Sequence, residues 1–219
     1  MGIYLEAIIL YILLFLSGSI AQLGSQAGGT AQAAEFSAAG DLIRIGLFII
    51  PSLILVWYLI LRTWKLEYWV VRPGRKDLLS GLITFPCLLI IGFVITLVSK
   101  YAGGTGTQTL FRTPSSAAEW IFVCIICILA AYLEESFFRF YLLTKRKEMN
   151  LSSSSALIFS AALFSICHIH MGPWGFLNAA LSGVLLGFLF LRYNSLHGIA
   201  IAHSLYNISV YIINSFLIN

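Results

Sequence analysis

Apolar residues run along this chain in long blocks, not in period-two alternation or narrow amphipathic stripes. The blocks cover roughly residues 3–22, 42–61, 78–99, 117–143, 152–170, 174–192 and 196–217. Each approaches the ~20 residues a helix needs to cross the hydrocarbon of a bilayer. Helices are the predicted element, because backbone groups in lipid must bond within their own segment or around a closed barrel, and a barrel strand takes only about 9–11 residues. The expected fold class is therefore all-α: a polytopic transmembrane helical bundle of about seven spans. No internal repeat and no low-complexity tail interrupts it.

The polar linkers carry the topology. Arg62, Lys65, Arg72, Arg75 and Lys76 lie between the second and third blocks, Lys145, Arg146 and Lys147 between the fourth and fifth, and Arg192 between the sixth and seventh. With seven spans these loops share one side. The opposite loops carry little: residues 23–41 and 171–173 have no Lys or Arg, and 100–116 have Lys100 and Arg112. Cytoplasmic loops are enriched in Lys and Arg, so the N-terminus is expected inside and the C-terminus outside. Trp57, Trp64, Tyr68 and Trp69 near one basic loop suit interfacial anchors. The first block could pass for a signal peptide, with Ser17 to Gln22 as its cleavage region. Its beginning, however, holds Glu6 and no Lys or Arg, so it reads as a retained span.

Composition narrows the class further. The 219 residues are 59% hydrophobic and 10% charged, with a mean hydropathy of +0.92. Soluble domains carry about 25% charged residues. A chain of this length could not bury so much apolar surface in water, so membrane lipid has to solvate it. The net charge of +4 comes from clustered basic residues without the aromatic interleaving of a nucleic-acid surface, and no nucleic-acid partner is expected. Cys87, Cys124, Cys127 and Cys167 all lie in apolar blocks, where small buried thiols are expected and not a disulfide framework.

Ionisable groups inside spans are costly and mark function by default. The fourth block contains Glu134, Glu135 and Arg139. On an α-helix Glu135 and Arg139 are i,i+4 neighbours and can pair, whereas Glu134 points about 100° away and is left to face something else. Such a carboxylate suits a general base. The fifth block ends with His168 and His170, and the seventh carries His203 and Asn207 one turn apart. Helix rise puts Glu134 and Asn207 each ~16 Å from the basic side, His203 about 10 Å and His168 about 20–24 Å. These groups converge if their helices are neighbours. His170 and His197, at span ends, read as structural hydrogen-bonding residues. Cys167 beside His168 is a weak candidate for a thiol nucleophile, since nothing nearby would ionise it. No Gly-x-Ser-x-Gly elbow supports serine hydrolysis.

Glu134-Glu135-x-x-x-Arg139, Phe164-x-x-x-His168 and His203-x-x-x-Asn207, in this order, resemble the motifs of the CAAX-protease and bacteriocin-processing enzymes, the Abi or type II CAAX prenyl endopeptidase family. The resemblance covers roughly residues 75–217, and it divides the chain into spans one and two with their basic loop (1–74) and a catalytic membrane core (75–219). It implies an intramembrane endopeptidase in which Glu134 and His168 activate water, His203 and Asn207 stabilise the oxyanion, and Glu135 and Arg139 orient the first glutamate. It implies no cofactor. The alternative is a zinc enzyme with Glu134, His168 and His203 as ligands, although there is no His-Glu-x-x-His on one helix. The implied substrate is a membrane-anchored protein or peptide: a C-terminal tail, a sorting signal or a peptide precursor. The short chain resembles prokaryotic members, so a prokaryotic cytoplasmic membrane is the expected location. Two other classes compete: a non-catalytic immunity or scaffold protein, and a small transporter with a proton relay.

Overall fold

A computed structural model describes residues 2–27, 38–62, 73–102 and 114–218. Trp64, Lys65, Tyr68, Trp69, Arg72 and Arg112 lie outside the described residues. Within them every regular element is helical. In chain order these are α1 (Gly2–Ser25), α2 (Ala39–Arg62), α3 (Arg75–Tyr101), α4 (Ala117–Lys147), the shorter α5 (Ser153–Ile166), α6 (Gly172–Tyr193) and α7 (Leu196–Ile218). Among the described residues six helices are long and apolar enough to cross a membrane, and α5 makes the seventh apolar helix. Their outer faces are bare hydrocarbon: Leu47, Ile83, Phe93 and Ile158 all stand more than half exposed. In water such faces would be untenable, and in lipid they are the ordinary surface.

The chain forms two compact units. One comprises Met1–Ala31, Ile90–Thr109 and Phe138–Tyr193, and the other Gln32–Leu89, Leu110–Phe137 and Asn194–Asn219.

In the first unit α5 and α6 run antiparallel in close contact. Gly183 and Gly187 permit it: a Cβ on Gly183 would lie 3.3 Å from the Ala161 Cα, and one on Gly187 2.5 Å from the Leu157 Cδ1. Small residues at such crossings let helices approach where no hydrophobic effect drives them together. The Phe138 ring, fully buried, packs edge-on against Phe164 at 5.2 Å and tilted against Phe15 of α1 at 4.8 Å. At the start of α1 the Tyr4 hydroxyl donates to the Met149 carbonyl, and Glu6 accepts from the Tyr141 hydroxyl at 2.6 Å and faces Lys145 at 3.7 Å. The basic segment Lys145–Lys147 and the Arg192 end of α6 thus share a side with the beginning of α1.

In the second unit α4 packs against α7 and α2, and α3 crosses α7 at Gly81 and Gly198, where a Cβ on Gly81 would meet the Gly198 carbonyl at 2.9 Å. Asp77 accepts from the Gly74 N–H at 2.8 Å and from the Ser195 hydroxyl. Ser195 in turn caps α7 by accepting from the Gly198 N–H at 3.0 Å. Asp77 therefore ties the starts of α3 and α7 to one side, which is where the charge pattern puts Arg75 and Lys76.

Two local features differ from straight α-helical spans. The fifth block does not continue to residue 170: α5 stops at Ile166, a short 3-10 turn covers Ile169–Met171, and Gly172 takes φ of +77°. Pro173 explains the break, since it lacks an N–H and disfavours α geometry at the residue before it, and a φ of that sign suits glycine. In α4 the α-helix ends at Glu135 and Ser136–Tyr141 winds as a π-helix. A π turn bonds i to i+5 and changes the angular spacing of its side chains, so the α-helical geometry assumed for Glu135 and Arg139 does not hold through this segment.

Candidate active site

In the second unit α4 presents Glu134 and Glu135 on its last α-helical turn, and α7 presents His203 and Asn207 one turn apart. The structure brings three of these side chains together. His203 Nδ1 lies 2.8 Å from Glu135 Oε1, and His203 Nε2 lies 3.7 Å from Glu134 Oε2. An imidazole is thus flanked by two carboxylates, one on each ring nitrogen. Their settings differ sharply: the Glu135 side chain is 0% exposed and that of Glu134 is 20% exposed. The short contact is a hydrogen bond in which Nδ1–H donates to a carboxylate. It fixes the ring's orientation and turns Nε2 towards Glu134. Glu134 Oε2 accepts no hydrogen bond among the described residues. The α4 sequence thus yields one fully buried carboxylate bonded to a histidine and one partly exposed carboxylate facing the other ring nitrogen.

Trp57 of α2 donates to the Ser136 hydroxyl at 3.0 Å, just past the two glutamates. That tryptophan, expected at the interface, is anchored to the site's own helix. Tyr132 and His197 form a second α4–α7 pair, with the hydroxyl 3.0 Å from Nδ1. His197 is therefore an interhelical hydrogen-bond partner, as expected for its position.

In the first unit the π segment carries Arg139, which is 0% exposed. Its guanidinium lies 4.4 Å from the centroid of the Phe164 ring, and Nη2 is 3.4 Å from the Gly183 carbonyl. A buried cation gains both from an aromatic face and from a carbonyl. Arg139 and Glu135 belong to different units, and their pairing stands as an expectation of the spacing. His168 sits just past the end of α5, in the turn and not within a helix. Its Nδ1 lies 2.7 Å from the Phe164 carbonyl. A carbonyl only accepts, so Nδ1 carries the proton and Nε2 is the basic nitrogen. The Phe164 ring lies against the imidazole at 4.6 Å. Phe164 therefore serves both motif charges of this unit, its ring facing Arg139 and its carbonyl holding His168. His170 Nδ1 donates to the Cys167 carbonyl at 3.1 Å, a structural contact. None of the four cysteines forms a disulfide, and Cys167 donates to the Phe164 carbonyl at 3.1 Å.

Of the three ligands that zinc would need, Glu134 and His203 are in one unit and His168 in the other. Neither unit gathers three His, Cys, Asp or Glu side chains as a ligand set among its described residues. Glu134 Oε2 and His203 Nε2, at 3.7 Å, could flank an ion as two ligands, with Glu135 behind the ring.

Fold and site together define a class: an all-α integral membrane protein with charged, hydrogen-bonded groups inside its spans. Residues 116–209 match the family model described as type II CAAX prenyl endopeptidase Rce1-like. This segment contains all three motifs and is similar to the domain of that family, and the match indicates a CAAX-type protease. No curated protein and no solved structure matches the chain.

Proposed function

We propose that the protein is a glutamate-dependent intramembrane endopeptidase, acting on a membrane-anchored protein or peptide at a C-terminal tail, sorting signal or precursor segment. The observation that carries this reading is the asymmetry of the two glutamates around His203. Glu135 is fully buried and bonded to Nδ1 at 2.8 Å, whereas Glu134 is 20% exposed and faces Nε2 at 3.7 Å. A carboxylate locked in a short buried bond serves to orient its partner, whereas a base needs a carboxylate that water can reach.

In this reading Glu134 takes a proton from water and the hydroxide adds to the scissile carbonyl; the motif resemblance gives His168 Nε2 a part in activating that water. His203, held by Glu135, donates from Nε2 to the developing oxyanion when that nitrogen is protonated, and the Asn207 amide donates beside it. Arg139 and Glu135 orient the base. Collapse of the tetrahedral intermediate breaks the C–N bond, and the proton held by Glu134 passes to the leaving amine. The protein works in a prokaryotic cytoplasmic membrane with its N-terminus inside and its C-terminus outside.

The test is to express the wild type and Glu134→Gln in cells lacking the native gene and compare membrane peptides and proteins by mass spectrometry. A precursor that accumulates with Glu134→Gln and is cut by purified wild type supports the proposal. Equal processing by both proteins removes Glu134 from the chemistry. A scaffold would instead lose assembly in the variant, and a transporter would show ion-coupled flux in vesicles.

A further inference from the structure

We infer that α1, which lies outside the segment matched to the family, supplies two positioning residues, Ser19 and Tyr11, for the imidazole of His168. The inference rests on the proposed role of His168 in activating water. Its physical basis is the early end of α5. With 14 residues this helix is ~21 Å long, against ~30 Å of hydrocarbon. It therefore ends inside the apolar layer, where its last carbonyls find no water and need protein donors.

Those donors can be named. The Leu163 carbonyl accepts from the Cys167 N–H at 3.2 Å and from the Tyr11 hydroxyl at 3.0 Å. The Phe164 carbonyl accepts from the Cys167 thiol at 3.1 Å and from His168 Nδ1 at 2.7 Å. The Ser165 carbonyl accepts from the His168 N–H at 3.0 Å. The Cys167 carbonyl accepts from His170 Nδ1 at 3.1 Å and from the Ser19 hydroxyl. Two of these donors are side chains of α1, and both are 5% exposed.

Their targets bracket the histidine. The Cys167 carbonyl belongs to the planar peptide that joins Cys167 to His168, so Ser19 fixes the plane from which the His168 Cα departs. The Leu163 carbonyl precedes the Phe164 carbonyl that holds Nδ1, so Tyr11 fixes the turn carrying the acceptor. Without these two bonds the helix end can unwind or lengthen, and Nε2 moves. A displacement of about 1 Å at a reacting group can cost about 10²-fold in rate. Ser19 and Tyr11 touch no substrate in this scheme; they act through His168.

The test uses the full chain, labelled with 15N-histidine and reconstituted in lipid nanodiscs, with the His168 signal assigned by its loss in His168→Gln. Wild type should show a single Nδ1–H tautomer at neutral pH. Ser19→Ala and Tyr11→Phe should each mix the tautomers and move the His168 titration curve. They should also lower kcat about 10- to 100-fold at unchanged KM, and Ser19→Thr should restore both readouts. Ser17→Ala, which removes only an exposed hydroxyl bonded back to Leu13 within α1, should leave both unchanged. Because the NMR arm needs no substrate, it decides the brace even if His168→Gln still cleaves, a result that would refute the catalytic reading and not the brace. The inference is overturned if folded Ser19→Ala and Tyr11→Phe keep the wild-type tautomer and titration, or if Ser19→Thr behaves like Ser19→Ala. Should Ser19→Ala fail to fold, Tyr11→Phe, which deletes a single oxygen, decides alone.

Discussion

Glu134 and Glu135 are adjacent in sequence and should respond oppositely to the same isosteric change. Glu134→Gln removes no hydrogen bond from Oε2, because that oxygen accepts none among the described residues. Its effect on stability should therefore be close to zero. Its effect on turnover should be large: losing a positioned base costs about 10² to 10⁴ in rate, which is roughly 3–5 kcal/mol of barrier. Glu135→Gln should do the reverse in proportion. It turns the 2.8 Å bond to His203 from charge-assisted to neutral at a fully buried site. Charge-assisted bonds contribute about 1.5–3 kcal/mol and neutral ones about 0.5–1.5, so about 1–1.5 kcal/mol of stability is lost. For a chain of this size that corresponds to a Tm roughly 2–6 °C lower. Activity should also fall, since His203 loses the partner that orients it. The assay is thermal unfolding, followed by cysteine-reactive dye in one detergent, beside single-turnover cleavage of the precursor identified above. Glu134→Gln should be dead with a wild-type Tm, and Glu135→Gln should be both impaired and less stable. If Glu134→Gln stays active while Glu135→Gln is dead at an unchanged Tm, the two roles are reversed and the geometric argument fails.

Arg139→Ala should destabilise far more than either glutamine variant. Removing a fully buried partner of this kind costs about 3–5 kcal/mol in soluble proteins, so Tm should drop by on the order of 10 °C; a drop within a degree or two would show that the guanidinium is not a structural hub. Chelators should leave cleavage by the purified protein intact, whereas stoichiometric zinc with Glu134 and His203 as ligands at about 2.0–2.1 Å would establish the metalloprotease alternative. A reporter fused after Asn219 should read as extracytoplasmic, and a cytoplasmic signal would overturn the assigned orientation. Gly81→Val should force α3 away from α7, because even a Cβ there would meet the backbone oxygen of Gly198 at 2.9 Å; overpacking of this sort costs about 1–3 kcal/mol, and an unchanged melting curve would show that this crossing is not tightly packed.

Much of this protein is legible in one dimension because lipid is a simple solvent. Long apolar blocks have one low-energy answer, so helices at six of the seven blocks follow from composition and length alone. The same solvent makes intramembrane charges expensive, which is why Glu134, Glu135, Arg139, His168 and His203 stand out in the sequence. The basic loops carry an expected orientation in the sequence itself, because the placement of Lys and Arg follows charge and not packing. Tertiary structure decided what depends on neighbours. The Glu135–His203 bond joins residues far apart in sequence, and no spacing rule predicts it. The π turn after Glu135 changes the angular spacing of the side chains that follow, and local propensity does not announce it. The fifth block looked like an ordinary span, yet α5 stops at Ile166 and sets His168 in a turn. The carbonyls exposed by ending a helix in hydrocarbon need donors from elsewhere. Ser19 and Tyr11 meet that need, and in sequence they are only a serine and a tyrosine in an apolar block. Periodicity and hydropathy report a residue's preference for lipid or water, whereas hydrogen bonds between helices depend on which helices are neighbours, and only packing decides that.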